Sequence, residues 1–376
     1  MPDAFTITIV VLLLLTVGIT PLCNALFRRP RTTTPPLTDS TPSLSVVITT
    51  HDNAAEIRNN LPAILQQEYD GKFEVIVVDE SSTDDSEEEL KLLKAQHPQL
   101  YTTYIPNSSH YVSRKKLALT IGIKAAHSEW IVLTDIDCRP NSSKWLATIA
   151  SHTSDDIDII MGYTGYLKPT PAYWRYDRLL TACYQMRQAE RSTAYRHEGH
   201  NLTIRKSKFM AQNGFLKNLK YLRGEYDFTV NEMATSGSTA VMLEPDSFVR
   251  QEYPSHKTWR YSHLYYLESR RHMKRGFCHR LLFNADQAML HFGWLMPLVT
   301  TVYSAVTQQW ILLSAAIATL IATLAVRMAI FHKACRQFEE SIALWKAPLL
   351  ELRMMWQNAW FMLRHLTADK YDFIRR

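Results

Sequence analysis

From Gln287 to Val326 the chain runs 40 residues without Asp, Glu, Lys or Arg. A helix that crosses a bilayer needs about 20 apolar residues. The run is therefore twice the length of one span, and the polar pair Gln308-Gln309 at its middle supplies a turn. Residues 287–326 read as a transmembrane hairpin. A second uncharged run, 4–27, has 24 residues and fits one span. It lacks a positive leading region and is followed by Arg28, Arg29 and Arg31, which favours a retained anchor over a cleaved signal. Basic residues also precede the hairpin (Arg270, Arg271, Lys274, Arg275, Arg280) and follow it (Arg327, Lys333, Arg336). The positive-inside rule then places the N-terminus outside and the segment between the spans in the cytoplasm of an integral inner-membrane protein.

The remaining composition is consistent with that placement. Cys23, Cys138, Cys183, Cys278 and Cys335 form no CxxC and no close pair, as expected of reduced thiols. The sequons at Asn107, Asn141 and Asn201 would matter only in an oxidising lumen. A net charge of +6 suits an anionic membrane surface and lipid partners, and no nucleic-acid motif accompanies it.

Between the spans, a Pro- and Thr-rich linker (28–43) leads into a domain expected over 44–284. LSVVITT (44–50), FEVIVVDE (73–80) and LYTTYIP (100–106) read as strands. The stretches 54–67, 83–93 and 114–126 read as helices. This alternation predicts a mostly parallel sheet with flanking helices, whose ligands bind beyond the carboxyl ends of the strands. Three acidic clusters fall there: His51-Asp52-Asn53, Asp79-Glu80-Ser81, and Asp135 with Asp137 in WIVLTDIDCRP (130–140). Extended chain alternates its side chains, so Asp135 and Asp137 leave on one face. Adjacent carboxylates repel, and Mg²⁺ or Mn²⁺ relieves them while leaving coordination positions for substrate phosphates. There is no GxGxxG after the first strand and no GxxxxGKS, which argues against dinucleotide and P-loop readings.

The order of these stretches resembles family 2 glycosyltransferases. VVITTHDNAAEIRNNLPAILQQEYDGKFEVIVVDESSTDDS is similar to that family's opening. KKLALTIGIKAAHSEWIVLTDIDCRP follows, then GHNLTIRKSKF (199–209), GEYDFTVNEMA (224–234) and ESRRH (268–272). The resemblance implies a GT-A, Rossmann-like fold and a nucleotide-sugar donor, most commonly a UDP-sugar. It implies that Asp52, Asp79 and Glu80 hold base and ribose, and that Asp137 holds the metal. Asp135 would contact ribose or a metal-bound water, or share the metal, and Lys115 or Lys116 would grip phosphate. In GEYDF, Asp227 is expected as the general base with Glu225 supporting it, although Tyr226 stands where many members carry an acid. Glu268, Arg271 and His272 replace the QxxRW element on the acceptor and diphosphate side, with Trp259 nearby as a surface for the acceptor sugar.

The tail, 341–366, spaces Leu349, Leu352, Trp356, Trp360, Leu363 and Leu366 as an amphipathic helix would, and is expected to lie in the membrane interface. Together these readings predict a membrane-anchored, metal-dependent, inverting glycosyltransferase whose acceptor is a lipid-linked saccharide or a surface polysaccharide. Two alternatives stay open. One is a sugar-phosphate nucleotidyltransferase; the other is a non-catalytic membrane scaffold that keeps the fold, as Tyr226, Glu268 and His272 would allow.

Overall fold

A computed structural model describes residues 3–34, 41–106, 113–274, 276–369 and 373. Linker residues 35–40, the sequon at Asn107 and Arg275 lie outside the described residues. The chain divides into two compact units, one comprising 1–29, 171–184 and 275–361, the other 30–170, 185–274 and 362–376.

In the second unit, the strands are β1 (Leu44–Thr50), β2 (Phe73–Asp79), β3 (Leu100–Tyr104), β4 (Trp130–Asp135), β5 (Cys138–Pro140), β6 (Ile159–Gly162), β7 (Thr164–Tyr166), β8 (Leu202–Arg205), β9 (Thr239–Met242) and β10 (Val249–Gln251). Among the described residues, seven form one sheet in the order β3-β2-β1-β4-β8-β6-β9, and β5-β10-β7 form a second. The β3-β2-β1-β4 half is parallel throughout, as the strand–helix alternation predicts. Strand β8 runs antiparallel to both its neighbours.

Every residue of β1 is buried, as expected for a parallel strand covered on both faces. Its apolar side chains Val46, Val47 and Ile48 are fully enclosed, each contributing about 1.5–3 kcal/mol. The helix Arg114–Ala125 lies close over β1 and β2. A methyl group on its Gly122 would come within 2.5 Å of Val47, so glycine sets the helix-to-sheet spacing. The linker is partly pinned: Thr33 exchanges hydrogen bonds of 2.9 and 3.0 Å with Val241 of β9.

The first unit holds the apolar helices. Among the described residues three are long and apolar enough to cross a membrane: Ala4–Cys23, His279–Val306 and Trp310–Gln337. The turn between the last two falls at Gln308, with φ of +56°, where the glutamine pair predicts it. Two boundaries differ from expectation. The hairpin helices overrun the uncharged stretch at both ends, taking in Asp286 and Arg327, because each charge finds a partner. Asp286 pairs with Arg28, and Arg327 lies 2.5 Å from Glu351. Residues 171–184, expected within the catalytic domain, belong instead to this unit. Arg175 pairs with Glu340 at 2.6 Å, and the Tyr184 hydroxyl donates to Asp286 at 2.6 Å. A buried charge stripped of its partner costs about 3–5 kcal/mol, which fixes these elements together. The helix Ala347–Thr367 buries Leu350, Met354, Met355 and Phe361, and exposes Leu349, Trp356, Leu363 and Leu366.

Candidate active site

Strand register assembles the site. Thr50 of β1 pairs with Asp79 of β2, and Thr49 pairs with Asp135 of β4. The three strands therefore end together, and the acids that follow them share one edge. Asp52 adopts φ of +53°, which non-glycine residues tolerate best when the side chain bonds locally. Its Oδ1 accepts from the Thr83 amide at 2.7 Å, and its own amide donates to Ser82 Oγ at 2.9 Å. Ser82 in turn donates to Asp79 through its amide (3.1 Å) and hydroxyl (2.5 Å). Asp52 and Asp79 are thus joined through residues 82–83. The Thr83 amide is the main cause holding the Asp52 carboxyl below the usual range. Glu80 is mostly enclosed, and burial pushes its carboxyl up against the pull of Lys115 and Arg223.

Asp135 is fully engaged. Lys115 Nζ lies 2.9 and 3.0 Å from its two oxygens. The Tyr226 hydroxyl donates to Oδ1 at 3.0 Å, and His200 Nδ1 lies 2.9 Å from Oδ2. Burial works against its charge, but Lys115 and then His200 more than offset it, and the carboxyl is held well below the ordinary range. Sequence reading expected Asp135 to share the metal or take the ribose. Here a lysine ammonium balances its charge.

Asp137 is placed differently. Oδ1 accepts from the Cys138 thiol at 3.3 Å and Oδ2 from Gln251 Nε2 at 2.8 Å, leaving each oxygen with further acceptor capacity. Gln251 of β10 stands directly opposite Cys138 of β5, and the Glu252 amide donates to the Asp137 carbonyl at 2.8 Å. The small second sheet therefore sets the orientation of this carboxylate. Ligand atoms of Asp137, Cys138 and His200 all lie within 4.8 Å of one another. A carboxylate and an imidazole on one rim fit a divalent cation of the Mn²⁺ type that also binds phosphate oxygens. Sequence reading gave His200 and Gln251 no role. The antiparallel register places His200: Leu133 of β4 pairs with Leu202 of β8, and continuing that register puts His200 opposite Asp135.

The GEYDF stretch opens the helix Glu225–Met233 after Gly224, whose φ is +87°. Its three candidate side chains diverge. Glu225 is buried, with Lys115 and Arg223 at 3.9 and 3.8 Å from Oε1, and its Oε2 has no hydrogen-bond partner. Tyr226 reaches Asp135. Asp227 accepts from Arg196 Nε at 2.9 Å, and that guanidinium stacks 3.7 Å over the Tyr266 ring. Burial pushes the Asp227 carboxyl up to about 6 despite Arg196. Sequence reading put Asp227 first and Glu225 in support. Glu225 shares Lys115 with Asp135, whereas Asp227 is committed to Arg196.

Lys116 is a further contrast. It is fully buried, and its Nζ donates to the carbonyls of Asn218 and Tyr221 at 2.7 Å each. Burial pushes it down to about 8. It braces the segment before Gly224, while its neighbour Lys115 faces the acids. Lys116→Met should destabilise the protein by about 1–3 kcal/mol, because two buried carbonyls lose a charged donor. Nucleotide-sugar affinity should stay unchanged, whereas Lys115→Met should weaken it. Thermal unfolding and donor titration of the two purified variants distinguish the roles.

The acceptor-side candidates form a separate group. Glu268 accepts from His272 (3.2 Å) and from His365 (3.0 Å), with Arg271 at 3.7 Å. Burial opposes the Glu268 charge, but its bonds to His272 and His365 hold the carboxyl below the usual range. His272 stacks on Tyr221 at 4.6 Å. Trp259 is buried, its ring 4.5 Å from that of His263, so it packs inward and offers a sugar no open face. Arg271 remains exposed.

A mostly parallel sheet with helices on its faces, ending in an Asp-x-Asp rim, is a GT-A-like fold. The family described as Glycosyl transferase family 2 matches residues 45–212 of the chain. No curated protein sequence matches the chain. Among solved structures, it is similar to the mannosyltransferase PcManGT from Pyrobaculum calidifontis, in complex with GDP-Man and Mn²⁺. Identity is 18%, the TM-score is 0.53, and the match covers 92% of this chain and 98% of that one, a likeness of fold. S. aureus TarS 1-349 also matches, at 14% identity and a TM-score of 0.42, over 82% of this chain and 90% of that one.

Proposed function

We propose that this chain is an inverting, metal-dependent glycosyltransferase that moves a sugar from a nucleotide diphosphate to a membrane-associated acceptor. One observation carries the reading. At the edge shared by Asp79 and Asp135 stands a buried carboxylate, Glu225, with one oxygen lacking a partner. An acceptor hydroxyl would supply that partner. As the hydroxyl oxygen bonds to the anomeric carbon, its proton passes to Glu225. The bond from that carbon to the diphosphate oxygen breaks on the opposite side, and configuration inverts.

Asp137 would hold the cation, which when bound supplies Lewis-acid neutralisation of the departing diphosphate. Asp52, Asp79 and Glu80 offer acceptors to the base and ribose. Lys115, between Asp135 and Glu225, brings a positive charge to the phosphate side. Glu268 with Arg271 and His272 would flank the acceptor. A Mn²⁺-bound relative of the same fold supports the choice of ion, and its GDP-Man supports a nucleotide-sugar donor, with a UDP-sugar the leading candidate by family frequency.

The apolar helices support residence in the membrane, and the basic clusters favour a cytoplasmic catalytic unit with the N-terminus outside. The exposed Leu349, Trp356, Leu363 and Leu366 suit the helix Ala347–Thr367 to the lipid interface. A lipid-linked saccharide or a surface polysaccharide would be met there. Purified protein should transfer sugar from one of a panel of nucleotide sugars to membrane-extracted acceptors. EDTA should stop the reaction, Mn²⁺ should restore it, and NMR of the product should show inversion. One contact favours a second reading, a non-catalytic scaffold: Tyr226 occupies Asp135. Donor binding without transfer from any nucleotide sugar would select it.

A further inference from the structure

The rim contains an imidazole that the reaction scheme has not used. His200 follows Gly199, whose φ of +95° turns the chain sharply into β8. The Thr134 hydroxyl donates to the His200 carbonyl at 2.8 Å, fixing the backbone beside β4. The ring is largely enclosed. Its Nδ1 lies 2.9 Å from Asp135 Oδ2, and one ring nitrogen lies within 4.8 Å of both an Asp137 oxygen and the Cys138 sulfur.

We infer that His200 is the second protein ligand of the catalytic cation, beside Asp137, and that Asp135 is a positioning residue that orients its ring. The inference rests on the metal-dependent reading proposed above and assigns its ligand set. Three observations carry it. First, Asp135 already holds the Lys115 ammonium on both oxygens and the Tyr226 hydroxyl on Oδ1, with His200 Nδ1 2.9 Å from Oδ2. Second, a metal-bound histidine characteristically gives its other ring N–H to a carboxylate, which selects the tautomer and raises ligand basicity. Asp135 stands where that carboxylate is required, 2.9 Å from Nδ1. Third, Cys138 is spoken for as a donor to Asp137, and a hard cation prefers oxygen and imidazole over a protonated thiol. The donor set that remains is one carboxylate and one imidazole, which leaves positions open for diphosphate oxygens.

The test is Mn²⁺ binding by the full-length protein in detergent, without nucleotide, read by EPR titration and electron-spin-echo modulation. The wild-type spectrum should carry ¹⁴N modulation, which changes when the protein is grown on ¹⁵N-histidine. His200→Gln should remove it and weaken Mn²⁺ binding. Asp135→Asn should keep the modulation yet weaken binding by about 10–100-fold, the usual effect of losing an outer partner. His200→Asp should restore most of the affinity without nitrogen modulation, which separates lost ligation from a damaged fold. Wild-type affinity in His200→Gln, or nitrogen modulation that survives it, overturns the assignment while Asp137→Ala still abolishes binding. Undiminished binding in Asp137→Ala as well would overturn the metal-dependent reading itself.

Discussion

Glu225→Gln should lower kcat by about 10²–10⁴-fold, the range of a positioned proton acceptor, with little change in nucleotide-sugar affinity. Glutamine keeps the size and one carbonyl oxygen of Glu225, so the helix start after Gly224 is preserved. What disappears is the capacity to take a proton at the oxygen that has no partner. Asp227→Asn should behave otherwise. It removes the anion facing Arg196, whose guanidinium is buried against Tyr266. Breaking a buried pair from one side costs about 3–5 kcal/mol, so this variant should lose thermal stability first and activity only as it unfolds. Steady-state kinetics at saturating donor, alongside thermal midpoints, separate the two. A folded Asp227→Asn with the larger kcat defect would return the proton-accepting role to Asp227.

The contrast between these acids shows what the sequence conveys. Burial of β1, β2 and β4 is written in continuous apolar runs, and a parallel strand's acids must emerge at its carboxyl end. Asp79 and Asp135 were therefore legible as neighbours without any pairing information. The membrane helices were legible for the same reason, since absence of charge over a span has few other meanings. Rotation within a helical turn was not legible. Glu225, Tyr226 and Asp227 are consecutive, and which one faces the rim depends on Arg196 and Lys115, which approach from other segments. The same holds for Lys115 and Lys116: adjacent lysines differ by about 100° around their helix, and only packing selects the one that reaches Asp135. Residues 171–184 escaped for a further reason. They hold their place through Arg175–Glu340 and Tyr184–Asp286, pairings more than 100 positions apart that no local pattern announces.

Gly199→Ala should be among the most damaging single-methyl changes in the catalytic unit. At φ of +95° an L side chain is strained, by about 1–3 kcal/mol. The added methyl would also overlap the Tyr226 ring, which is buried and cannot swing aside. Forcing such a ring to shift costs about a further 1–3 kcal/mol. The damage would not stay local. Tyr226 carries its hydroxyl to Asp135 and its ring face to Lys115, whose Nζ sits 5.1 Å from the ring centre. Asp135 in turn holds His200, the residue next to Gly199. A displaced ring therefore disturbs the proposed cation site through both ends of that loop, and Gly199→Ala should weaken Mn²⁺ binding as well as lower the thermal midpoint. Combining it with Tyr226→Ser tests the cause. Serine removes the ring that the methyl strikes but leaves the backbone strain, so the double variant should be more stable than the two single losses summed, by about 1–3 kcal/mol of coupling. Strict additivity would mean that the ring is not what excludes a side chain at position 199, and a wild-type midpoint for Gly199→Ala alone would contradict the close packing of Gly199, Tyr226 and Asp135 from which the site is built.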